Sequence, residues 1–526
     1  MLLASAGAIM AGPVDDKVSA ALSRVTGGGW IRSAAGVTRS GAAIPVLISR
    51  DDLDYSTRKT RVLLVGGMDG SAASVDAVLS LLSKTSGRIA LSALPIANPE
   101  AFARGGGAAV SGFPPQGEHY GGKDNAEAQY LWRWIGMHAP DAVVVIGAGG
   151  GLADALSAHK AGGTGTIPAF ELPVDQAGAA LAQVRKRGIR SPSAARVEIQ
   201  RRVGRNPLEV ARQLSAVYGR ELPEAVYIPA MALVARLRLG EAAGGVEQLA
   251  MVEKIVEPYF TGARDSMAKA TGSHLSGHLL FGELYAATRK PRYLELARKA
   301  ADTGFQAGAM LESMPMHSEM SDAVFMGCPI VAQVGRLTGD RKYFDMALRH
   351  MRFMLKLNLR KDGLHRHSPL DETAWGRGNG FPALGLALTL SELPESFEGR
   401  AEVLSAFRAH MAAMLPHQDP TGAWHQVVDR PESYRELTVT SMMLIAMRRG
   451  VARGWLDKAR FQPAIDRAWY AIKTRVAADG SLVDVCTGTG KQKSLRDYYD
   501  RGAILGPDPR GGAMAFLAAM EMAAKP

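Results

Sequence analysis

The sequence predicts a multidomain chain, an N-terminal α/β domain followed by an all-α toroid of helical hairpins of the (α/α)6 type. Three observations carry this. Between Ser19 and Ile146 short β-rich runs alternate with helical ones, the pattern of an α/β sandwich. From Pro207 onward almost every periodic stretch is helical. Within that second half a helix repeatedly ends in a polar turn, an aromatic follows and a second helix begins. The anchoring aromatics Tyr293, Tyr343, Phe397 and Phe461 are separated by 50, 54 and 64 residues, a period that means stacked hairpins in a helical chain.

Length and composition agree with this division. At 526 residues the chain is too long for one typical domain, and a hydrophobic content of 47% supplies sizeable cores. Expected boundaries are 1–18 for an apolar first segment, 19–205 for the α/β domain with a basic connector, and 206–526 for the toroid. The opening Met-Leu-Leu-Ala-Ser-Ala-Gly-Ala-Ile-Met-Ala-Gly has the apolar part and small-residue end of a secretory signal without a preceding positive charge. On that ground a secreted or periplasmic location is expected. No uncharged apolar run is long enough to span a bilayer, so no membrane partner is expected. The net charge of +11 points to an anionic partner, with nucleic acid and an acidic polysaccharide as the candidates. Cys328 and Cys486 make neither a disulfide framework nor a paired-cysteine metal motif, and read as buried thiols.

In the first half, Ile44 to Ile48, Val62 to Val65, Ile89 to Leu94 and Ala142 to Ile146 read as strands. Ala72 to Leu82 and Ala126 to Met137 read as helices. The order Ala43-Ile-Pro-Val-Leu, Val62-Leu-Leu-Val-Gly-Gly-Met-Asp-Gly-Ser, Asn98-Pro-Glu-Ala-Phe, Phe113-Pro-Pro and Pro140-Asp-Ala-Val-Val-Val resembles the zinc carboxypeptidase family over roughly residues 30 to 150. The resemblance implies that fold with its zinc ligands lost. Met68 and Ser71 stand where the family has its His-x-x-Glu pair, and Ile146-Gly147 where a third ligand would be; a thioether and a hydroxyl do not replace an imidazole and a carboxylate on zinc. Gly147-Ala-Gly-Gly-Gly-Leu mimics a dinucleotide fingerprint but ends on Leu152 with no convincing ribose-binding acid. Gly490-Lys491 mimics a phosphate loop but is followed by Gln492. Both read as glycine turns, and no cofactor is expected.

Between Arg185 and Arg205 lie eight basic residues and one acid, Glu198. An anion-binding strip is one reading; a solvated connector with amphipathic helices is favoured, because no aromatics are interleaved on which bases could stack. Nucleic acid is therefore not expected as a partner.

In the second half, about eleven or twelve helices between Ala225 and Met522 are enough to close a ring of six pairs. Polar stretches fall at the starts of the expected inner helices: Ser273-His-Leu-Ser-Gly-His, Ser318-Glu-Met-Ser-Asp, His365 to Phe381, Trp424-His-Gln-Val-Val-Asp with Tyr434-Arg-Glu, and Leu495-Arg-Asp-Tyr-Tyr. In a ring these distant stretches converge at one mouth. The stretch His365 to Phe381 gathers two histidines, two carboxylates, an indole, two guanidinium groups and an amide among three glycines. A sugar site needs those groups: flat rings for pyranose faces, forked donors for hydroxyls or a carboxylate, and an acid able to give a proton.

Ser321-Asp-Ala-Val-Phe-Met-Gly-Cys-Pro, Gly363-Leu-His-Arg-His, Trp375-Gly-Arg-Gly-Asn-Gly-Phe, Gly422-Ala-Trp-His-Gln-Val-Val-Asp, Tyr434-Arg-Glu-Leu-Thr-Val-Thr-Ser-Met and Gly480-Ser-Leu-Val-Asp-Val-Cys together resemble the unsaturated glucuronyl and rhamnogalacturonyl hydrolases, glycoside hydrolase families 88 and 105. The match covers roughly residues 270 to 525 in the family's order. The resemblance implies hydrolysis of a terminal, unsaturated uronyl residue on an acidic oligosaccharide. An aspartic acid protonates the enol ether left by a polysaccharide lyase, water adds to the neighbouring carbon, and the hemiketal collapses. Carried over by motif, Asp322 is the general acid/base; without that context an acid at a helix start would read as N-terminal electrostatics alone.

One departure matters. Where the family places a second acid, this chain has Ser273-His274-Leu-Ser-Gly-His278 with no carboxylate. His274 or Asp371 can replace it. Ordinary uronide hydrolysis, β-elimination by a lyase using His274, His278, Tyr498 and Arg377, or a non-catalytic glycan-binding protein remain open. Expected substrate contacts are Arg377 on a uronate carboxylate, Trp375 and Trp424 as stacking platforms, and His365, His367, Asn379, His425, Glu436 and Arg496 as polar contacts. For Arg377 the alternative is a brace on loop carbonyls; for the two tryptophans it is wedge packing between helices. His365, His367 and Asp371 have a spacing that could hold a metal, but hydrogen bonding is preferred and no metal is expected.

Overall fold

The computed structural model describes residues 13–524 except 26–28, 84–86, 118, 119, 121–125, 190 and 244. Most of the apolar first segment expected over 1–18 lies outside the described residues. The chain divides into two compact units, one comprising Met1–Gly204 with Asp429–Tyr434 and Tyr499–Leu505, the other Arg205–Val428, Arg435–Tyr498 and Gly506–Pro526.

The first unit is built on a six-stranded sheet. Its strands are β1 (Trp30–Val37), β2 (Ala43–Ser49), β3 (Thr60–Val65), β4 (Ile89–Leu94), β5 (Ala142–Ile146) and β6 (Ala169–Leu172), in the order β1-β2-β4-β3-β5-β6. β3 pairs in parallel with β4 and β5, and β5 with β6, while β2 runs antiparallel to β1 and β4. The parallel strands β4 and β5 are buried at every residue, which explains their near-continuous apolar runs. Two strands escape the sequence reading. β1 reads Trp-Ile-Arg-Ser-Ala-Ala-Gly-Val, whose small and polar residues blur its alternation, and β6 is only 4 residues long.

Met68, just after β3, is fully buried, and its carbonyl accepts the Val110 N–H at 2.9 Å. Ser71 caps the helix Ala72–Leu81, accepting from Ser74 N. These two positions pack and cap. Gly147, Gly150 and Gly151 all have positive φ, forming the turn that enters the short helix Leu152–Ala158. In the basic connector, Arg196 is buried against Asp141 at 2.6 Å, and Arg202 against Glu198 at 2.7 Å. Two of its cations are thus spent inside the fold.

The second unit is an α/α toroid. Six helices form its inner wall: Tyr227–Ala243, Leu279–Thr288, Ala323–Thr338, Gly376–Glu392, Leu437–Ala452 and Pro509–Ala523. Each packs against the next, and the last against the first, so the ring closes. Outside them lie Val246–Val256, Pro291–Ala301, Arg341–Asn358, Arg400–Met414 and Lys458–Arg475, each against the inner helix that precedes it. The sixth outer position is taken by Pro207–Val217, which packs against Pro509–Ala523.

Sequence separates the two layers. Inner helices such as Ala323–Thr338 are buried almost all round, whereas Arg341–Asn358 buries one face. Hairpins turn on ordinary capping: Gly339, at φ 73°, ends the inner helix, and the Asp340 side chain accepts from Lys342 N to start the outer one. The aromatic anchors Tyr293, Tyr343, Phe397 and Phe461 are all buried at or beside the first turn of outer helices.

Inner helices approach so closely that glycine is required at contacts. A Cβ on Gly385 would lie 2.7 Å from the backbone of Phe325. At the C-terminal ends of the inner helices a cavity of about 870 Å³ is lined by charged residues including Arg238, Glu283, Arg336, Glu392, Arg449 and Glu521. The polar stretches singled out in the sequence lie at the other ends, the helix N-termini.

Candidate active site

Asp322 sits at the N-cap position of Ala323–Thr338, but its side chain makes no capping hydrogen bond. The carboxyl is thus not consumed by its own helix. The preceding residue fixes it: Ser321 N donates to His367 O at 2.9 Å, and Ser321 Oγ to Gly378 O at 2.6 Å. This places the carboxyl against the His367 segment, with Asp322 Oδ1 at 3.6 Å from His367 Nε2. Asp322 is 6% exposed and His367 fully buried. The other ring nitrogen, His367 Nδ1, lies 2.8 Å from the Tyr498 hydroxyl. The imidazole is also packed against Trp375, with ring centroids 4.4 Å apart.

Trp375 stands at the N-cap position of Gly376–Glu392 and is fully buried, between His367 and the guanidinium of Arg377, which lies 4.8 Å over its ring. It is the wall behind His367 rather than an open platform. Arg377 Nη1 donates to Cys486 O at 2.7 Å, and Nη2 to Gly488 O. Two of its five N–H groups thus brace that loop. Burial works against its charge, but the fields of Cys486, Tyr227, Glu436 and Asp322 outweigh it and hold its pKa above the ordinary value.

Other expected contacts are corrected by the hydrogen bonds they make. Asn379 serves the backbone: Oδ1 accepts from His365 N at 2.8 Å, and Nδ2 donates to His365 O and Trp375 O. Glu436 caps Leu437–Ala452, with Oε2 accepting from Val439 N at 2.6 Å and Oε1 from Cys486 N at 3.1 Å. Trp424 is fully buried with its indole N–H on Met414 O at 2.9 Å, so it is wedge packing and not a stacking platform. The physical reason is that each polar group satisfies backbone groups instead of a ligand: Glu436 an N–H left unpaired at its inner-helix start, Asn379 the His365 backbone, and Trp424 the carbonyl ending an outer helix.

His425 faces a group the sequence reading missed. Its Nε2 lies 3.3 Å from Asp419 Oδ2, and Arg435 forks onto the same carboxylate with two contacts of 2.9 Å. All three are buried. Burial would raise the Asp419 pKa, but Arg435 and His425 hold it well below the usual range. Asp419 sits in a Gln-Asp-Pro-Thr-Gly run that reads as a turn; its signal was Arg435, inside the Tyr434-Arg-Glu motif that pairs with the Trp-His strand.

His365 is fully buried, edge-on to His410 at 4.7 Å, and neither ring nitrogen has a hydrogen-bond partner among the described residues. Burial, with His410 beside it, pushes its pKa well below the ordinary value. Arg496 is half-buried on the short helix Leu495–Tyr499.

Each candidate for a second acid has partners other than Asp322. His274 Nδ1 lies 2.8 Å from Thr271 Oγ1, and Nε2 4.0 Å from Glu224. Asp371, partly exposed, accepts from Thr373 N at 2.8 Å. His367 faces Asp322 at 3.6 Å. Of the histidines considered for a lyase, His278 is buried, with its ring nitrogens on His274 O at 2.7 Å and Ser266 Oγ at 2.9 Å. Among the described residues, no group of three or more His, Cys, Asp or Glu is placed to hold a metal ion.

Comparison with known proteins adds the following. The model of Glycosyl Hydrolase Family 88 matches residues 216–525. An unsaturated 3S-rhamnoglycuronyl hydrolase of Formosa agariphila is 29% identical over 183 residues, covering 31% of this chain and 48% of that one. The unsaturated rhamnogalacturonyl hydrolase YesR of Bacillus subtilis is 25% identical over 213 residues, covering 38% and 58%. The chain thus spans about half the length of the curated relatives it matches. A glycoside hydrolase from family 105 of C. acetobutylicum ATCC 824 superimposes with a TM-score of 0.52 at 21% identity, over 59% of this chain and 98% of that one, a likeness of fold.

Proposed function

The chain belongs to Glycosyl Hydrolase Family 88, and from that premise we propose that it releases a terminal unsaturated uronyl residue from an acidic oligosaccharide, with Asp322 as general acid and base. The observation that carries the proposal is the Asp322 carboxyl. It stands uncapped at an inner-helix N-terminus, nearly enclosed, and faces an imidazole that is itself held by a tyrosine. The names of the curated relatives support the substrate class.

In the proposed reaction the Asp322 carboxylic acid gives its proton to one carbon of the enol-ether double bond. Water adds its oxygen to the other carbon, and the Asp322 carboxylate takes the proton that the water loses. The hemiketal so formed collapses, breaking the ring C–O bond to leave a ketone and, at the anomeric carbon, a hemiacetal. The hemiacetal then breaks its glycosidic C–O bond, its hydroxyl proton passes to the leaving oxygen, and the sugar is released as an aldehyde remains. Asp322 ends protonated, so one carboxyl serves both halves. Arg377, buried beside Trp375, contributes the positive potential that favours an anionic sugar at this mouth. The +11 net charge acts in the same direction over longer range.

The test is direct. Lyase-generated oligouronides incubated with the protein lose their enol-ether ultraviolet absorbance, and the Asp322→Asn protein leaves it unchanged. A rise in absorbance on intact polyuronides would instead identify a lyase. Tight binding of oligouronides without turnover of any would identify a glycan-binding protein.

A further inference from the structure

We propose that Tyr498 is a positioning residue that fixes the tautomer of His367, so that its Nε2–H faces Asp322 Oδ1 and the proton Asp322 transfers is carried on Oδ2. The proposal rests on the reading of Asp322 as acid and base, and adds to it the group that sets the direction of the proton.

The geometry is a three-membered relay between segments far apart in sequence. Tyr498 Oη lies 2.8 Å from His367 Nδ1 across 131 positions of chain, and His367 Nε2 lies 3.6 Å from Asp322 Oδ1. Tyr498 and His367 are fully buried and Asp322 nearly so. The imidazole cannot turn over freely: Trp375 packs on it at 4.4 Å and the Tyr498 ring meets it edge-on at 5.8 Å. Tyr498 is anchored in turn, its carbonyl accepting from Gln426 Nε2 at 3.3 Å.

Two arrangements of hydrogens are conceivable for a neutral ring. The backbone N–H of Gln492 donates to Tyr498 Oη at 3.3 Å, which occupies one acceptor site and turns the hydroxyl hydrogen toward His367. Nδ1 then accepts, and the ring hydrogen sits on Nε2. The opposite tautomer would set the Nε2 lone pair against a carboxylate oxygen, a repulsive contact whenever Asp322 is ionised. With Nε2–H pointing at Oδ1 across 3.6 Å, the positive end of the N–H dipole faces that oxygen and disfavours a proton on it. The exchangeable proton is thereby confined to Oδ2. Charged and titratable groups around the ring include Asp322, Tyr498 and, across Trp375, Arg377.

The full chain, labelled with ¹⁵N in its histidine rings, reports the tautomer without substrate, the His367 resonances being assigned from their loss in His367→Gln. The wild-type protein is expected to show bare Nδ1 and protonated Nε2. In Tyr498→Phe the two tautomers should mix. kcat on lyase-generated oligouronides should fall roughly 10- to 100-fold, the range for losing the partner that orients an imidazole. KM should stay within about twofold, and the pH profile of kcat should shift, which a purely structural role of Tyr498 would not produce. A protonated Nδ1 in the wild-type protein overturns the proposal, as does a Tyr498→Phe protein with unchanged tautomer and unchanged pH profile. The wild-type spectrum decides even if Tyr498→Phe does not fold. If wild-type protein turns over no oligouronide, the proposed activity fails, while the spectrum still settles the tautomer.

Discussion

Replacing Asp322 by Asn separates chemistry from architecture, because the structure predicts very different sizes for the two losses. The amide has nearly the same shape and keeps an oxygen to face His367 Nε2, at the 3.6 Å separation seen for the carboxylate. What it loses is the transferable proton. General acid–base catalysis is worth about 10²- to 10⁴-fold, so kcat should fall by that factor, or about 3–5 kcal/mol of barrier. The structural loss is smaller. Asp322 makes no side-chain cap bond, so its helix loses only the charge at the N-terminus, worth about 0.3–1 kcal/mol. Enol-ether absorbance measures the first quantity and denaturant unfolding the second. A variant retaining more than roughly a tenth of the wild-type kcat would refute the general-acid assignment. So would a stability loss large enough to account for the lost activity.

Other outcomes follow from buried groups. Arg435→Ala leaves the Asp419 carboxylate buried without its fork and should cost about 3–5 kcal/mol in urea unfolding at neutral pH. That cost should shrink as pH falls below the ordinary Asp range toward the depressed Asp419 value, because the contribution exists only while Asp419 is ionised in the fold. Trp424→Phe should lower stability by about 1–3 kcal/mol by orphaning Met414 O, and leave KM unchanged; a raised KM would restore Trp424 as a sugar platform. His278 and His350 are held neutral by burial, each with its pKa pushed down to about 4. For a base with a depressed folded pKa, stability is full above the unfolded value of about 6.5 and declines as pH falls toward 4. Thermal unfolding between pH 7 and 4 should therefore show a falling midpoint that flattens in His278→Gln. Gly385→Ala pushes a methyl against the Phe325 backbone and should destabilise by about 1–3 kcal/mol.

Much of the architecture was legible because period and punctuation survive in the sequence. The runs at β3, β4 and β5 and the helix Ala126–His138 stand out by apolar continuity and length, and the hairpins by their aromatic anchors. β1 and β6 do not, since one is diluted by Ser, Ala and Gly and the other is too short. The site was legible by motif but not by role. Asp322 and His367 do meet. Trp424, Asn379 and Glu436 have the residue types of sugar contacts, yet their donors and acceptors go to backbone groups around the inner helices. Residue type cannot distinguish those uses, because a helix terminus and a ligand offer the same unpaired groups. Tyr498 was noted only for a lyase base, and its partner 131 positions away is visible only in three dimensions.

The ring is completed by a helix borrowed from the far end of its own unit: Pro207–Val217 fills the outer place beside Pro509–Ala523. A linear stack of hairpins could grow one repeat at a time and fray from either end, since each repeat needs only its neighbour. This ring has no terminal repeat to fray. Its last inner helix finds its outer partner about 300 residues back, so the final closure joins the most distant segments of the unit and carries the steepest loop-closure entropy. The toroid should therefore unfold as one cooperative body, and the mouth that holds Asp322, His367 and Tyr498 takes its final shape only when the chain meets its own beginning.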